Sequence, residues 1–286
     1  MWIHFALFAT LLLSAALLGL RGHAGRRGSP VLLGVAFVSF VAFSSSRAAS
    51  IGNDTIEYHR VFEAIKATTS LQEAFTVSRF EYGYVLLNYL VSRITQSFNV
   101  LLLIISVFVY GSALLFIKRY AANYSLAVLF AFGMSVFYDF TLFARQGVAV
   151  AIFLLAVPAL MERRLLRYIL LIALATQFHM SAVLLLIVYL VPIMRLSTFG
   201  DWLKWGTLIG ASMFSLSWVM NSLAASSAYY GHYLNTDYAD GGVRSATVLL
   251  IAVRILIMLL AATCGWNEAV EADPSGRTRN LLGLAV

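Results

Sequence analysis

Cysteine is almost missing from this chain: Cys264 is the one residue of its kind in 286. That excludes a disulfide framework and any cysteine-based metal cluster. Charge is scarce too, at 12% of residues against 61% hydrophobic; soluble domains carry roughly 25% and 45–50%. With a mean hydropathy of +0.85, the composition is that of a polytopic membrane protein, so the fold class expected is all-α, a bundle of transmembrane helices. There is no GxxxxGK[ST] phosphate loop, no dinucleotide glycine pattern and no pair of histidines at metal spacing. No nucleotide, metal or other cofactor is therefore expected. The net charge of +7 does not point to nucleic acid, because the basic residues stand in short clusters between apolar runs, as topology signals do. Nor does any Lys or Arg precede the first apolar run; Arg21, Arg26 and Arg27 follow it. A signal peptide has the opposite order, so the first segment reads as a retained helix that enters from outside.

What is present is a series of apolar stretches. A crossing helix needs about 20 mostly apolar residues, and the candidates are 2–20, 30–47, 98–117, 124–143, 146–161, 165–178, 180–194, 205–222 and 246–263. These amount to about nine membrane segments in one integral membrane domain over 1–286. Arg21/Arg26/Arg27, Lys118/Arg119, Arg163/Arg164/Arg167, Arg195/Lys204 and Arg277/Arg279 then fall on one side, twelve of the twenty Lys and Arg. Short basic loops stay in the cytoplasm. The N-terminus is accordingly outside, and the outer side receives 48–97, the junctions at Arg145 and His179, and 223–244. Segments 165–178 and 180–194 are short for a crossing; short or broken helices at membrane depth are tolerated where they line a cavity or are buried in protein. After Arg277 and Arg279 the run Asn280–Val286 reads as the opening of another helix, which suggests a C-terminally truncated chain.

The outer segment 48–97 holds two helical patterns. Asn53 to Phe62 resembles a short amphipathic helix capped by Asn53 or Asp54. From Tyr82 to Thr95, residues Tyr82, Val85, Leu86, Tyr89 and Leu90 recur at helical spacing, with Asn88 and Arg93 elsewhere, which suits a helix lying in the interface or the start of the next crossing. The second outer loop gathers Tyr229, Tyr230, His232, Tyr233 and Tyr238; tyrosines at this level also form interfacial belts.

Four residues stand out as catalytic candidates. Arg145 lies next to hydrocarbon depth, where an arginine costs about 2.5–3.5 kcal/mol to insert. Its plain reading is snorkelling or pairing with Asp139; its functional reading is a guanidinium holding a phosphate. His179 follows Phe178 in apolar surroundings, either a satisfied polar group at a helix junction or a base or phosphate ligand near pH 7. Asp54 and Glu81 are outer carboxylates able to deprotonate or bind a sugar hydroxyl, although solvation, or a cap for Asp54, is the plainer role. Glu57 reads most simply as a solvated surface group. Arg254 stands deep inside the last apolar run and is a functional candidate by position alone.

Taken together, Gly52-Asn53-Asp54 with Tyr58, Glu81-Tyr82-Gly83-Tyr84 with Leu87-Asn88, Arg145-Gln146 with Ala149 and Ala151, and Tyr168, Ala175 and Phe178-His179-Met180-Ser181-Ala182 resemble the EpsG family of exopolysaccharide repeat-unit polymerases, which are Wzy-like in role. The similarity runs from about residue 1 to 265, with its specific part between 50 and 190. It implies a metal- and nucleotide-independent glycosyltransferase of the bacterial cytoplasmic membrane, acting on its outer face. A glycan on an undecaprenyl diphosphate carrier would pass to a sugar hydroxyl of an incoming lipid-linked repeat unit. The partners implied are the polyprenyl-diphosphate-linked oligosaccharide, the lipid bilayer and other exopolysaccharide export components. Arg145 would stabilise the departing diphosphate, Arg254 would assist, and His179, Asp54 or Glu81 would activate the acceptor. Gln146, Tyr58, Tyr82, Asn88, Tyr230 and Tyr233 complete the substrate-binding candidates. The competing readings are another lipid-linked glycan transferase or ligase, and a precursor transporter or flippase.

Overall fold

The computed structural model describes residues 28–51, 54–121, 123–133 and 136–193, with side chains as far as residue 189. The expected segments 2–20, 205–222 and 246–263, the loop 223–244 and the C-terminal tail lie outside the described residues. The chain divides into two compact units, Met1–Leu186 and Ile187–Val286, and the site concerns the first.

Every described element is helical. Helix α1, Pro30–Ser45, starts where Ser29 accepts a hydrogen bond from the Leu32 N–H, with proline at a first-turn position that needs no donor. The outer segment forms three helices, α2 Thr55–Lys66, α3 Leu71–Val77 and α4 Tyr82–Ile94. The seven-residue α3 has no clear apolar period; its ends make it, since Ser70 Oγ accepts from the Glu73 N–H and Glu73 Oε2 accepts from the Thr69 N–H. Helix α5, Phe98–Tyr120, has 23 residues, about 34 Å at 1.5 Å per residue. It ends on Lys118 and Arg119. Helices α6 Tyr124–Gly133 and α7 Val136–Leu142, within the segment expected to cross at 124–143, are bent by 58° to one another. Helix α8 is Ala144–Met161 and α9 is Leu165–Thr176. The segment expected at 180–194 forms a 3₁₀ helix, Met180–Ile193.

By length and composition α5 and α8 can each cross a membrane, and the bent pair α6/α7 makes a third span if it is one broken crossing. Helices α1 and α9 and the 3₁₀ segment are shorter apolar pieces. The expected total of about nine extends over residues outside those described. Exposure fits a lipid environment: Leu166, Leu170 and Leu174 form an outward row on α9, 72%, 62% and 49% exposed. Two cores result. One joins α2, α4, α5, α8 and α9 through Tyr58, Phe62, Tyr84, Leu101, Ile105, Val148, Ala149, Ile152 and Ala175. The other joins α1, α5, α6 and α7 through Leu32, Phe40, Tyr110, Leu114, Val128 and Phe137.

The interfacial stripe read into α4 is partly turned around. Tyr84, Val85, Asn88, Val91 and Ser92 are its buried residues, whereas Tyr82, Leu86 and Leu90 are exposed. Polar Asn88 and Ser92 face inward because each donates to a backbone carbonyl of its own helix, from Tyr84 and Tyr89. Apolar residues on the other face need no such partner. A hydrophobic period alone does not say which side of a membrane-associated helix is the core.

Candidate functional site

Two short turns, distant in sequence, lock together. At the start of α4 the N–H groups of Gly83 and Tyr84 have no helical acceptor, and both donate to the carbonyl of Gln177, at 2.9 and 3.2 Å. In return the carboxylate of Glu81 accepts from the Met180 N–H at 3.0 Å. The approach is close enough to demand glycine: a Cβ on Gly83 would stand 2.8 Å from the Gln177 carbonyl oxygen. The turn at 80–84 is thus built onto the turn at 177–180, which carries His179.

The first residues of α8 complete the arrangement. Arg145 Nη1 donates to Glu81 Oε2 at 2.6 Å, and His179 Nδ1 stands 3.8 Å from Glu81 Oε1. The side chains of Arg145 and Glu81 are only 13% and 14% exposed. Arg145 is therefore a helical residue in the first turn of α8, not part of a linker between segments, and its carboxylate partner is Glu81 rather than Asp139. The guanidinium lies 3.9 Å above the Phe80 ring centre and 5.8 Å from that of Tyr58, a cation–π seat of about 2 kcal/mol where water is largely excluded. Arg145 Nε and His179 Nδ1 are buried and hydrogen-bond to no protein group.

Asp54 reaches the same cluster by another route. It occupies the N-cap position of α2, yet its side chain makes no capping bond. Instead Asp54 Oδ2 accepts from the Tyr58 hydroxyl at 3.3 Å. Burial pushes that hydroxyl up to about 12, so it remains a donor. His179 is held below the ordinary histidine value: burial is the largest cause, Glu81 opposes it, Arg145 reinforces it and Asp54 opposes it. The imidazole is accordingly neutral near pH 7. Glu57 is engaged elsewhere, its carboxylate lowered chiefly by the hydrogen bonds from Arg60.

Of the residues singled out from sequence, Arg145, His179, Glu81, Asp54 and Tyr58 come together here. Asn88 is fully buried one helical turn beyond Tyr84, with Oδ1 unpartnered. Tyr82 is 67% exposed and its ring packs edge-on against Phe75. Gln146, the next residue along α8 from Arg145, is exposed. Arg254, Tyr230 and Tyr233 lie outside the described residues. Sequence reading missed Phe80 and Arg47, and took Tyr84 only as part of a motif. Arg47 was assigned to the end of a crossing helix, but it lies just past α1 and is 5% exposed. An arginine where an apolar run meets the long outer loop was the signal available.

The family model of the EpsG family matches residues 31–272. The chain belongs to the EpsG family. No match was found among characterised proteins or among solved structures. In this EpsG-family chain the small residues that carried the resemblance are packing contacts: Ala149, Ala151, Ala175 and Ala182 are all at most 5% exposed, which lets backbones approach closely in a membrane. The polar residues of the same motifs form the Glu81–Arg145–His179 cluster. Family and apolar helices together make this a membrane protein.

Proposed function

We propose that this chain polymerises undecaprenyl-diphosphate-linked oligosaccharide repeat units into exopolysaccharide at the outer face of the bacterial cytoplasmic membrane, with its N-terminus outside. Family membership supports an exopolysaccharide polymerase. The observation that carries the reading is the buried Glu81–Arg145 pair beside a neutral His179.

In this reaction an acceptor hydroxyl attacks the anomeric carbon of the donor glycan. The bond from that carbon to the diphosphate oxygen breaks, a glycosidic bond forms, and the hydroxyl proton passes to a base. The carrier diphosphate leaves as an anion. Glu81 is poorly placed as the base, since its oxygens already accept from Arg145 and the Met180 N–H. It is a positioning group, holding Arg145 and facing His179 Nδ1. That leaves Nε2 of His179 for the acceptor proton, with Asp54 as the alternative base. Arg145 supplies positive charge where negative charge develops on the leaving diphosphate. Metal ions and nucleotides have no part in this scheme, and export components are the expected partners.

Reconstitution of the full chain with a purified lipid-linked repeat unit tests the reading. A ladder of lengthening products is expected. A single transfer product would identify a ligase-type transferase instead. Movement of the substrate across the vesicle without elongation would identify a transporter.

A further inference from the structure

Arg47 poses a physical problem that the Glu81–Arg145 pair does not. Its Nη1 donates to the Ser44 carbonyl at 3.1 Å and to Ser44 Oγ at 3.0 Å, which is a familiar way to finish a helix. Capping explains one nitrogen. Nε and Nη2, the two that form the side edge of the guanidinium plane, are buried and hydrogen-bond to no protein group. No carboxylate among the described residues pairs with Arg47, and the groups that act on it besides burial are the hydroxyls of Tyr110, Tyr84 and Tyr58. A buried cation with an open donor edge is costly unless something anionic completes it.

Its surroundings connect it to the site. Tyr84, fully buried on α4, lies within electrostatic reach of both Arg47 and Arg145. Its ring centre is 5.7 Å from that of Tyr58, which Arg145 approaches at 5.8 Å, and its hydroxyl, beside the Asn88 side chain, completes no full hydrogen bond. The other unpartnered buried side-chain atoms among the described residues belong to Thr55, Asn88, Arg145 and His179. They come from the outer segment, from the start of α8 and from the 177–180 turn, and none comes from the core around Phe40. Buried polar groups in folded proteins nearly always have partners, so such a gathering calls for a ligand of matching chemistry.

We infer that Arg47 and Arg145 together form a two-guanidinium anion site, with Arg47 presenting its Nε–Nη2 edge to two oxygens of one phosphate of a lipid-linked diphosphate. That edge is the bidentate fork suited to phosphate oxygens. Arg145 is already balanced by Glu81; Arg47 brings the uncompensated positive charge that a diphosphate needs. The Tyr84 hydroxyl is the neutral donor between their fields. This rests on the polymerase reading, and it adds a binding residue that pairing with Glu81 does not require.

The test uses the full chain in phosphatidylcholine nanodiscs, with undecaprenyl diphosphate as the probe, and compares wild type, Arg47→Met and Arg47→Lys. Binding at least tenfold weaker in Arg47→Met is expected, with at most partial recovery in Arg47→Lys, which keeps the charge and loses the fork. The unfolding temperature of Arg47→Met without ligand should equal or exceed that of wild type, because an unsatisfied charge has been removed. Unchanged affinity in Arg47→Met would overturn the inference and leave the polymerase reading standing. No saturable binding by wild type would overturn both. An equal dependence on Arg47 for phosphatidylglycerol would reassign the site to bilayer headgroups, and for inorganic pyrophosphate to free diphosphate; either overturns the lipid-linked assignment. A lowered unfolding temperature in Arg47→Met would make Arg47 a structural cap.

Discussion

Tyr110 and Tyr84 are both buried tyrosines, 1% and 0% exposed, on helices that follow one another in the chain. The hydroxyl of Tyr110 is fully engaged: it donates to the Phe137 carbonyl at 2.9 Å and lies 2.5 Å from Thr141 Oγ1. That of Tyr84 has only the Asn88 side chain beside it and completes no full hydrogen bond. The contrast extends to their neighbours. Around Tyr110 the rings of Phe40 and Phe137 stack, with Phe40 and Phe137 centroids 4.2 Å apart. Within reach of Tyr84 are Arg145, Asn88 and Arg47, the last shared with Tyr110, and each has at least one buried polar atom unpartnered. One region spends its polar groups on holding helices together. The other keeps them open, which lowers stability and is the mark of a site arranged for a ligand.

The comparison breaks most easily at Glu81. Glu81→Ala leaves Arg145 buried and unpaired, at about 3–5 kcal/mol, so a steep fall in membrane abundance and unfolding temperature is expected, and loss of polymer with it. Normal abundance would mean that water or lipid headgroups already satisfy Arg145. His179→Gln comes next: about a hundredfold lower transfer rate, the ordinary worth of a general base, with abundance unchanged. An unchanged rate would shift the base to Asp54. Gly83→Ala should cost about 1–3 kcal/mol through overpacking against Gln177, and a melting series checks it.

The sharpest contrast is smaller. Tyr110→Phe strips bonds from Phe137 and Thr141 and should lower stability by about 1 kcal/mol while product lengths stay as in wild type. Tyr84→Phe should do the reverse, with unfolding temperature held and transfer weakened. Matching behaviour in the two variants would erase the distinction between the regions. The smallest effect concerns pH. His179 has a native value below the roughly 6.5 of an unfolded histidine, so the unfolded chain takes up this proton first. Its contribution to stability is therefore fully present above about pH 6.5 and is lost as pH falls through the native value. Transfer should also fall on the acid side, and His179→Gln should flatten that part of both profiles.

Much of this site was legible beforehand, for definite reasons. Arg145 and His179 stand out because charge at the edge of an apolar run is costly and conspicuous. Asp54 and Glu81 stand out as carboxylates of a long outer segment. What sequence does not carry is pairing: Asp139 is near Arg145 in the chain, whereas Glu81 is 64 residues away. Only folding of the 80–84 turn onto the 177–180 turn brings Glu81 to it. Arg47 was hidden because it ends an apolar run, where snorkelling is the ordinary expectation. The inward face of α4 was misjudged for a related reason, since lipid accepts Leu86 and Leu90 as readily as a core does. Helices α5 and α8 were readable from length and hydropathy, but the α6/α7 bend and the tight 3₁₀ helix were not, since apolar runs look alike whatever their local geometry.

One measurement addresses the central claim, that the Glu81–Arg145–His179 cluster performs chemistry rather than merely joining helices. Glu81→Gln combined with Arg145→Met removes both buried charges at once, leaves no unpaired ion, and keeps an acceptor for the Met180 N–H. Purified, reconstituted and supplied with a lipid-linked repeat unit, this double variant should unfold at or above the wild-type temperature and produce no product ladder. A ladder of wild-type length and yield would contradict the account and return the pair to a structural role.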